Sequence, residues 1–373
     1  MAVIRIETVE TPSQLREFVR FPLRIYPADS PWVPPIWNEE MKRLDRERGD
    51  FFQHSVAQLY IAFDGAGDPV GRIAAIRFNR HLEVYDDGVG FFGFFECVND
   101  EAAAGRLFAA AAEWLRGQGL RRMRGPASFT INEEFGLLIE NFDDAPTLLT
   151  TWNPPYYRRL VESAGLAKAE DLLAREVAFA DVDVRYLERL AKAGARNGRV
   201  TIRRANLARL EEEIDILVKV YDEAWSENWG AVPFSRDEFL ALARGLKPCL
   251  LPECTLIAEF GGEPVGICVA MPDINVAVKA CGGRLGLIGL LRFTLARRRI
   301  DRIRGLVAGV LKAHRNKGIE SAFGARVARA LLPSHYRRIE FSWMLESNIP
   351  VHRVLENSGA KITKRWRVYE REV

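Results

Sequence analysis

Two short motifs recur at one fixed distance, and this limits the folds open to the chain more than any composition value does. Pro69-Val70-Gly71 lies within YIAFDGAGDPVGRIAAIRF, and Pro264-Val265-Gly266 lies within LIAEFGGEPVGICVAM. Asn153-Pro154-Pro155 opens NPPYYRRLVESAG, and Asn348-Ile349-Pro350 opens NIPVHRVLENSG. The separations, 264 minus 69 and 348 minus 153, are both 195 residues. Unrelated matches do not share an offset, and the period is far too long for a solenoid. A duplicated domain follows, with one copy over 1–181, the other over 199–373, and the seam around 182–199. A length of 373 residues suits two domains of about 150 residues or more.

Each copy carries the same order of elements. The first opens with a strand in VIRIETV, a helix signalled by Thr11-Pro12-Ser13, and a second, charged helix in PPIWNEEMKRLDRERG. A hairpin follows, its two strands joined by a glycine-containing turn. Then come the strand GFFGFFECV, an alanine-rich helix over about 100–117, a strand through RMRGPASFT, a short helix near Pro155 and closing strands over 170–180. The second copy repeats this from VTIRRAN to ITKRWRVYE. Helices alternating with antiparallel hairpins predict an α/β (α+β) chain of two mixed sheets.

Composition excludes several functional classes. Hydrophobic residues make up 48% and charged residues 28%, which is globular rather than disordered or fibrous. Lys and Arg number 53 against 50 acids, so a net charge of +3 gives no global reason for nucleic-acid binding. No apolar run is long enough to span a bilayer, and MAVIRIETVE does not read as a signal peptide, so a cytoplasmic location is expected. Cys97, Cys249, Cys254, Cys268 and Cys281 lack metal-ligand spacing and read as core thiols; no metal site is expected.

Three segments carry possible chemistry. In the second copy an apolar strand ends at Arg315-Asn316-Lys317-Gly318 and a helix starts at Ile319. Backbone N–H groups at such a turn form an anion-binding nest beside a helix dipole. In the first copy GPASFTINEEFG offers Ser128, Asn132, Glu133 and Glu134 as a general base and amine-orienting groups, with Tyr156 or Tyr157 as hydroxyl donors. The alternative there is a loop of capped turns. Finally, residues 284–304 hold seven arginines and one acid behind the apolar run LGLIGLL. They read as a surface helix packing its leucines on the core, with contact to nucleic acid through Arg297–Arg304, an acidic membrane surface or coenzyme phosphates as the alternatives.

The order hairpin, strand, R-x-x-G turn, helix, strand, Asn-led helix resembles the GNAT acyltransferase superfamily, in tandem. In that family the turn reads R/Q-x-x-G-x-G/A and holds the pyrophosphate of an acyl-coenzyme A. Arg315 and Gly318 match it, and Glu320 stands where glycine or alanine is usual. Asn348 and Gly359 match a later pattern, whereas Leu355 replaces the tyrosine that often protonates the departing thiolate. The resemblance implies acetyl- or acyl-coenzyme A as cosubstrate, bound by Val310, Leu311, Arg315, Asn316, Lys317, Gly318, Ile319 and Asn348. It further implies direct acyl transfer to the amine of a small molecule or peptide, with a backbone N–H near Val310 steadying the oxyanion. GPASFTINEEFGLL and WNPPYY also look like bacterial tandem proteins of this kind. The matching point of the first copy, Asn99-Asp100-Glu101, is acidic and reads as a helix cap rather than a coenzyme site. The alternatives are a non-catalytic regulator on the same fold and an aminoacyl transferase of the peptidoglycan-bridge type.

Overall fold

A computed structural model describes residues 3–194 and 200–373. The chain divides into two compact units: Met1–Leu173 with Ala277–Ala296 and Lys364–Val373 form unit 1, and Ala174–Val276 with Arg297–Thr363 form unit 2. These units cross the linear boundaries expected at 181 and 199; of the expected seam, residues 195–199 lie outside the described residues.

The first half runs β1 (Arg5–Thr8), α1 (Pro12–Arg20), α2 (Pro22–Ile25), α3 (Trp37–Arg43), β2 (Val56–Phe63), β3 (Pro69–Arg77) and α4 (Asn79–Tyr85). It continues through β4 (Val89–Cys97), α5 (Glu101–Gly117), β5 (Arg122–Gly125), β6 (Ala127–Ser128), β7 (Glu134–Phe135), β8 (Leu137–Glu140), α6 (Tyr157–Ser163) and β9 (Ala167–Ala178). Next come α7 (Val184–Gly194), β10 (Val200–Arg204), α8 (Leu210–Trp225), α9 (Arg236–Leu246), β11 (Thr255–Phe260), β12 (Glu263–Pro272), α10 (Asn275–Cys281) and α11 (Leu287–Arg297). The chain closes with β13 (Arg302–Val310), α12 (Ile319–Leu331), β14 (Arg338–Leu345), α13 (Ile349–Asn357) and β15 (Lys361–Glu372).

The repeated motifs occupy equivalent places. Gly71 on β3 faces Ala62 on β2 and Cys97 on β4, with a register shift just after Ala62. Gly266 on β12 faces Ala258 on β11 and Val310 on β13, with a register shift just after Ala258. In both units the third hairpin-side strand pairs in parallel with the next, β4 with β5 and β13 with β14. Local signals behave as read: Thr11 makes a capping box with Gln14, and Asp100 caps α5 by accepting from the Ala102 and Ala103 amides. The charged helix of the first copy is shorter than expected. Pro34 and Pro35 precede it, and a residue before proline is held out of the α region.

The end of β9, Ala174–Ala178, belongs to unit 2, and most of β15, from Lys364, belongs to unit 1. In unit 1 β15 pairs antiparallel with β5, Tyr369 opposite Gly125, and β8 pairs with β15. In unit 2 β9 lies next to β14, and Phe179 donates its amide to the Arg337 carbonyl at 2.8 Å. Val177 and Phe179 then join the core of unit 2, while Tyr369 joins that of unit 1.

Unit 1 secures β15 through a buried carboxylate. Asp171 accepts from Arg367 Nε at 2.8 Å, Arg365 Nη1 at 3.2 Å and Lys168 Nζ at 2.9 Å. Burial opposes its ionisation, but the hydrogen bonds from Arg367 and Lys168 prevail and bring the carboxyl down to about 2. Asp171→Asn should cost roughly 1.5–3 kcal/mol in urea unfolding at pH 7. Unfolded aspartate titrates near ~3.9, so this stabilisation is complete above about pH 4 and is lost as pH falls through about 2. The gap between wild type and variant should close over that interval.

Candidate active site

The unit 1 site begins with a distortion in β4. Its register against β3 shifts between the Arg72–Glu96 and Ala74–Gly93 pairs, and Phe94 takes a φ of 51°. Only glycine fits at 93, because a Cβ there would lie 1.8 Å from the Ala127 carbonyl oxygen. Beyond Phe91 and Arg124 the parallel partners β4 and β5 make no further ladder pairs. The Phe94 amide, freed by this separation, donates instead to Ser128 Oγ at 3.2 Å.

The four polar residues expected to act together therefore have distinct places. Ser128 is buried and satisfies the bulge. Asn132 is half-buried, its amide donating to Thr130 Oγ1. Glu133 accepts from the Phe129 amide and, at 2.8 Å, from Arg43 Nη2. Arg43 also donates to Glu40 at 3.1 Å and lies over the rings of Phe94 and Phe129. Glu134 pairs with Ser128 across β6 and β7 and is exposed to solvent. Its pKa is raised to about 7. Desolvation is the main cause; Glu40, Glu133 and Glu96 add to it and Arg43 opposes it.

A second carboxylate, which the sequence reading passed over, lies within β4. Glu96 is buried and accepts from Tyr26 Oη at 2.5 Å and Tyr157 Oη at 2.7 Å, with Arg72 Nη2 at 3.6 Å. Burial pushes its pKa up. Tyr26 stacks on Trp32 at 4.5 Å and meets Trp152 edge-on at 5.7 Å. Its signal was a lone acid in an otherwise apolar strand, GFFGFFECV. Tyr156 donates to the Cys97 carbonyl, and burial raises its phenol to about 12.

In unit 2 the strand-turn-helix forms as read. Asn316 and Gly318 take φ values of 62° and 73°, and Gly318 precedes α12 without a side-chain cap. The turn is covered, however, by α7. A Cβ on Gly194 would lie 2.4 Å from the Gly318 nitrogen, and one on Gly318 would lie 2.8 Å from the Leu190 carbonyl oxygen. Arg315 donates to the Val310 and Ala224 carbonyls at 3.3 and 2.8 Å, and Lys317 lies over the Phe260 ring. The Leu311 amide donates to Val265 at 2.9 Å, and Trp225 fills the space beside Gly309. Ile319 is buried, Glu320 points to solvent, and Asn348 precedes α13 without a side-chain cap bond. A pyrophosphate does not fit on this turn while α7 lies there.

The basic segment divides by burial. Arg302 and Arg304 are buried on β13, Arg302 donating to Asp273 at 3.1 Å, so neither can reach a phosphate backbone. Arg297, Arg298 and Arg299 are exposed. The leucines of α11 also face solvent, contrary to the expected packing on the core; the inward positions are the small residues Gly289 and Ala296. All five cysteines are buried thiols. Among the described residues no group of three or more His, Cys, Asp and Glu is arranged to hold a metal.

No family model matches the sequence. Protein YghO of Escherichia coli is 32% identical over 99% of this chain and 95% of its own. The bacterial ceramide synthase of Caulobacter vibrioides is 32% identical over 99% of this chain and 98% of its own. This chain belongs to the same family as both. A tandem GNAT protein from the clavulanic acid biosynthesis pathway matches in structure at 12% identity and a TM-score of 0.53, covering 99% of this chain and 98% of that one. The fold is thus the tandem GNAT fold.

The Glu134 environment gives a direct electrostatic test. Replacing Glu40 by glutamine removes a negative charge that raises Glu134. In Glu40→Gln the Glu134 carboxyl should titrate below about 7, toward the ordinary carboxylate range, as followed by carboxyl-carbon NMR.

Proposed function

We propose that the protein is an N-acyltransferase that moves an acyl group directly from an acyl-coenzyme A thioester to an amine, with Glu134 as general base. The observation that carries this reading is a solvent-reachable carboxyl held near pH 7 on an acyltransferase fold. A base is most effective when its pKa lies near the working pH, because it is then both ionised and basic. The amine nitrogen attacks the thioester carbonyl, the C–N bond forms and the C–S bond breaks. Glu134 takes the amine proton, and the thiolate leaves to be protonated by solvent. A donor on Leu355 is not available, since a leucine side chain carries no proton to give.

The name of the Caulobacter vibrioides relative supports a long-chain amino alcohol as acceptor, the amine from which a ceramide is made. The aromatic wall of Tyr26, Trp32 and Trp152 suits an apolar acceptor better than a charged peptide.

Within unit 2 taken by itself, the contacts proposed for an acyl-coenzyme A are Val310, Leu311, the turn Arg315-Asn316-Lys317-Gly318, Ile319 and Asn348. Occupation of that turn requires α7 to move away, so the apparent affinity is lowered by the fraction of molecules in which α7 is displaced. Leu187 is the buried anchor of α7 and lies beside Gly324 of α12. Leu187→Ala should therefore bind acyl-coenzyme A more tightly in calorimetry, although it is less stable. Weaker or unaltered binding would remove the donor from this turn and favour the non-catalytic reading.

The base assignment has its own test, a pH–rate profile with an amine acceptor. In wild type log kcat/KM should rise with unit slope below about pH 7 and level off above it, because only the ionised carboxylate accepts the proton. Glu134→Gln should lose about 10²–10⁴-fold in kcat with donor affinity nearly unchanged. A variant of wild-type rate would exclude Glu134 as the base.

A further inference from the structure

Helix α11, LIGLLRFTLAR, displays an apolar surface that unit 1 does not cover. Leu287 is 92% exposed and Ile288 70%, and Leu290, Leu291 and Leu295 are each more than half exposed. At about 100° per residue these five side chains fall within an arc of roughly 160°, opposite the buried Gly289 and Ala296. Arg292 and Arg297 border that arc on its two sides, and Arg298 and Arg299 follow directly. One guanidinium N–H of Arg297 is held by the Pro248 carbonyl. Between Asp273 and Asp301 the sequence contains no acid.

The base of this helix is fixed in place. Trp37 donates its indole N–H to the Gly282 carbonyl at 2.9 Å and its amide to Gly283 at 3.0 Å, and Lys279 reaches the Ser30 carbonyl. Gly283 lies so close to the Pro35 carbonyl that a Cβ would approach it to 2.1 Å. The same segment carries Trp32, which stacks on Tyr26 beside Glu96. The turn that leads into α11 is therefore anchored on the segment that carries Trp32.

We propose that α11 lies in the surface of an anionic phospholipid bilayer, with its leucines among the acyl chains and its bordering arginines on headgroup phosphates. Eleven residues span only about 16 Å, half of a bilayer core, so the helix rests in the interface and does not cross. None of the helices searched among the described residues is long and apolar enough to cross. An apolar arc edged by arginine is the pattern of an interfacial helix, because the long arginine stems let the charge stay in the headgroups. Nucleic acid would engage the arginines and leave five large apolar side chains in water. A second copy of the chain would cover the leucines but bring two arginine borders together. The anionic bilayer satisfies both features at once.

Flotation of the whole protein with vesicles tests this without reference to turnover, so it stands or falls apart from the acyltransferase reading. Wild type should float with vesicles of phosphatidylcholine mixed with phosphatidylglycerol, and less with phosphatidylcholine alone. Leu287→Glu with Leu291→Glu should reduce partitioning by roughly tenfold or more, with an unaltered circular dichroism spectrum and melting temperature, since both positions are exposed. Arg292→Glu with Arg298→Glu should abolish the preference for anionic vesicles. The proposal is overturned if wild type stays in the aqueous fraction, or if the double glutamate variant floats as wild type does. It is also overturned if light scattering shows a dimer that this variant dissociates while no vesicle binding occurs. Retardation of duplex DNA lost in the arginine variant, without vesicle binding, would assign the segment to nucleic acid instead.

Discussion

A pair of parallel strands that separates part-way along its length governs each unit. In unit 1 the ladder between β4 and β5 covers Val89–Phe91, and in unit 2 that between β13 and β14 covers Arg302–Gly305. Backbone groups beyond those points lose their sheet partners, and buried polar groups without partners are costly. The two copies meet this demand differently. Unit 1 turns the Phe94 amide onto the Ser128 hydroxyl and lets the Ala127 carbonyl approach Gly93. Unit 2 instead places Trp225 against Gly309. The frame is common to both copies, and the groups filling the opening differ.

Around the unit 1 opening, charge is arranged so that one carboxylate is left available. Glu133 is held by a backbone amide and by Arg43, and Glu96 by two phenols. Glu134 is exposed near three other acids, and its raised proton affinity comes first from desolvation, with the charges of those acids adding to it. Arg43 moderates that field, and its place over Phe94 and Phe129 ties the electrostatics to the bulge itself. The Ser128–Glu134 pair on β6 and β7 thus joins a purely structural hydrogen bond to the proposed base.

Much of this was legible in the sequence where a local rule fixes geometry. The 195-residue offset located Gly71 and Gly266, which hold the same register position in the two hairpins. Thr11 and Asp100 announced helix starts, and Gly318 announced the turn before α12. What stayed hidden depends on contacts between residues distant in sequence. Nothing in RYLERLAKAG tells that Gly194 lies on the Gly318 amide, over one hundred positions away. The role of Glu96 depends on Tyr26 and Tyr157, and the apolar periodicity of α11 is the same whether its leucines meet a core or solvent. The arginine run misled for a related reason: the surface helix ends at Arg297, and Arg302 and Arg304 already belong to a buried strand.

The strand exchange has a consequence for how the polypeptide is made. Unit 1 needs Lys364–Val373 to complete its sheet beside β5, and Ala277–Ala296 besides. A ribosome delivers those residues only after almost all of unit 2 has been synthesised. The N-terminal portion must therefore wait with an unpaired strand edge, a known template for mispairing and aggregation. A truncation or frameshift in the second half that removes Lys364–Val373 therefore takes a strand from unit 1 as well. The chain is in this respect a single unit of biosynthesis and of quality control.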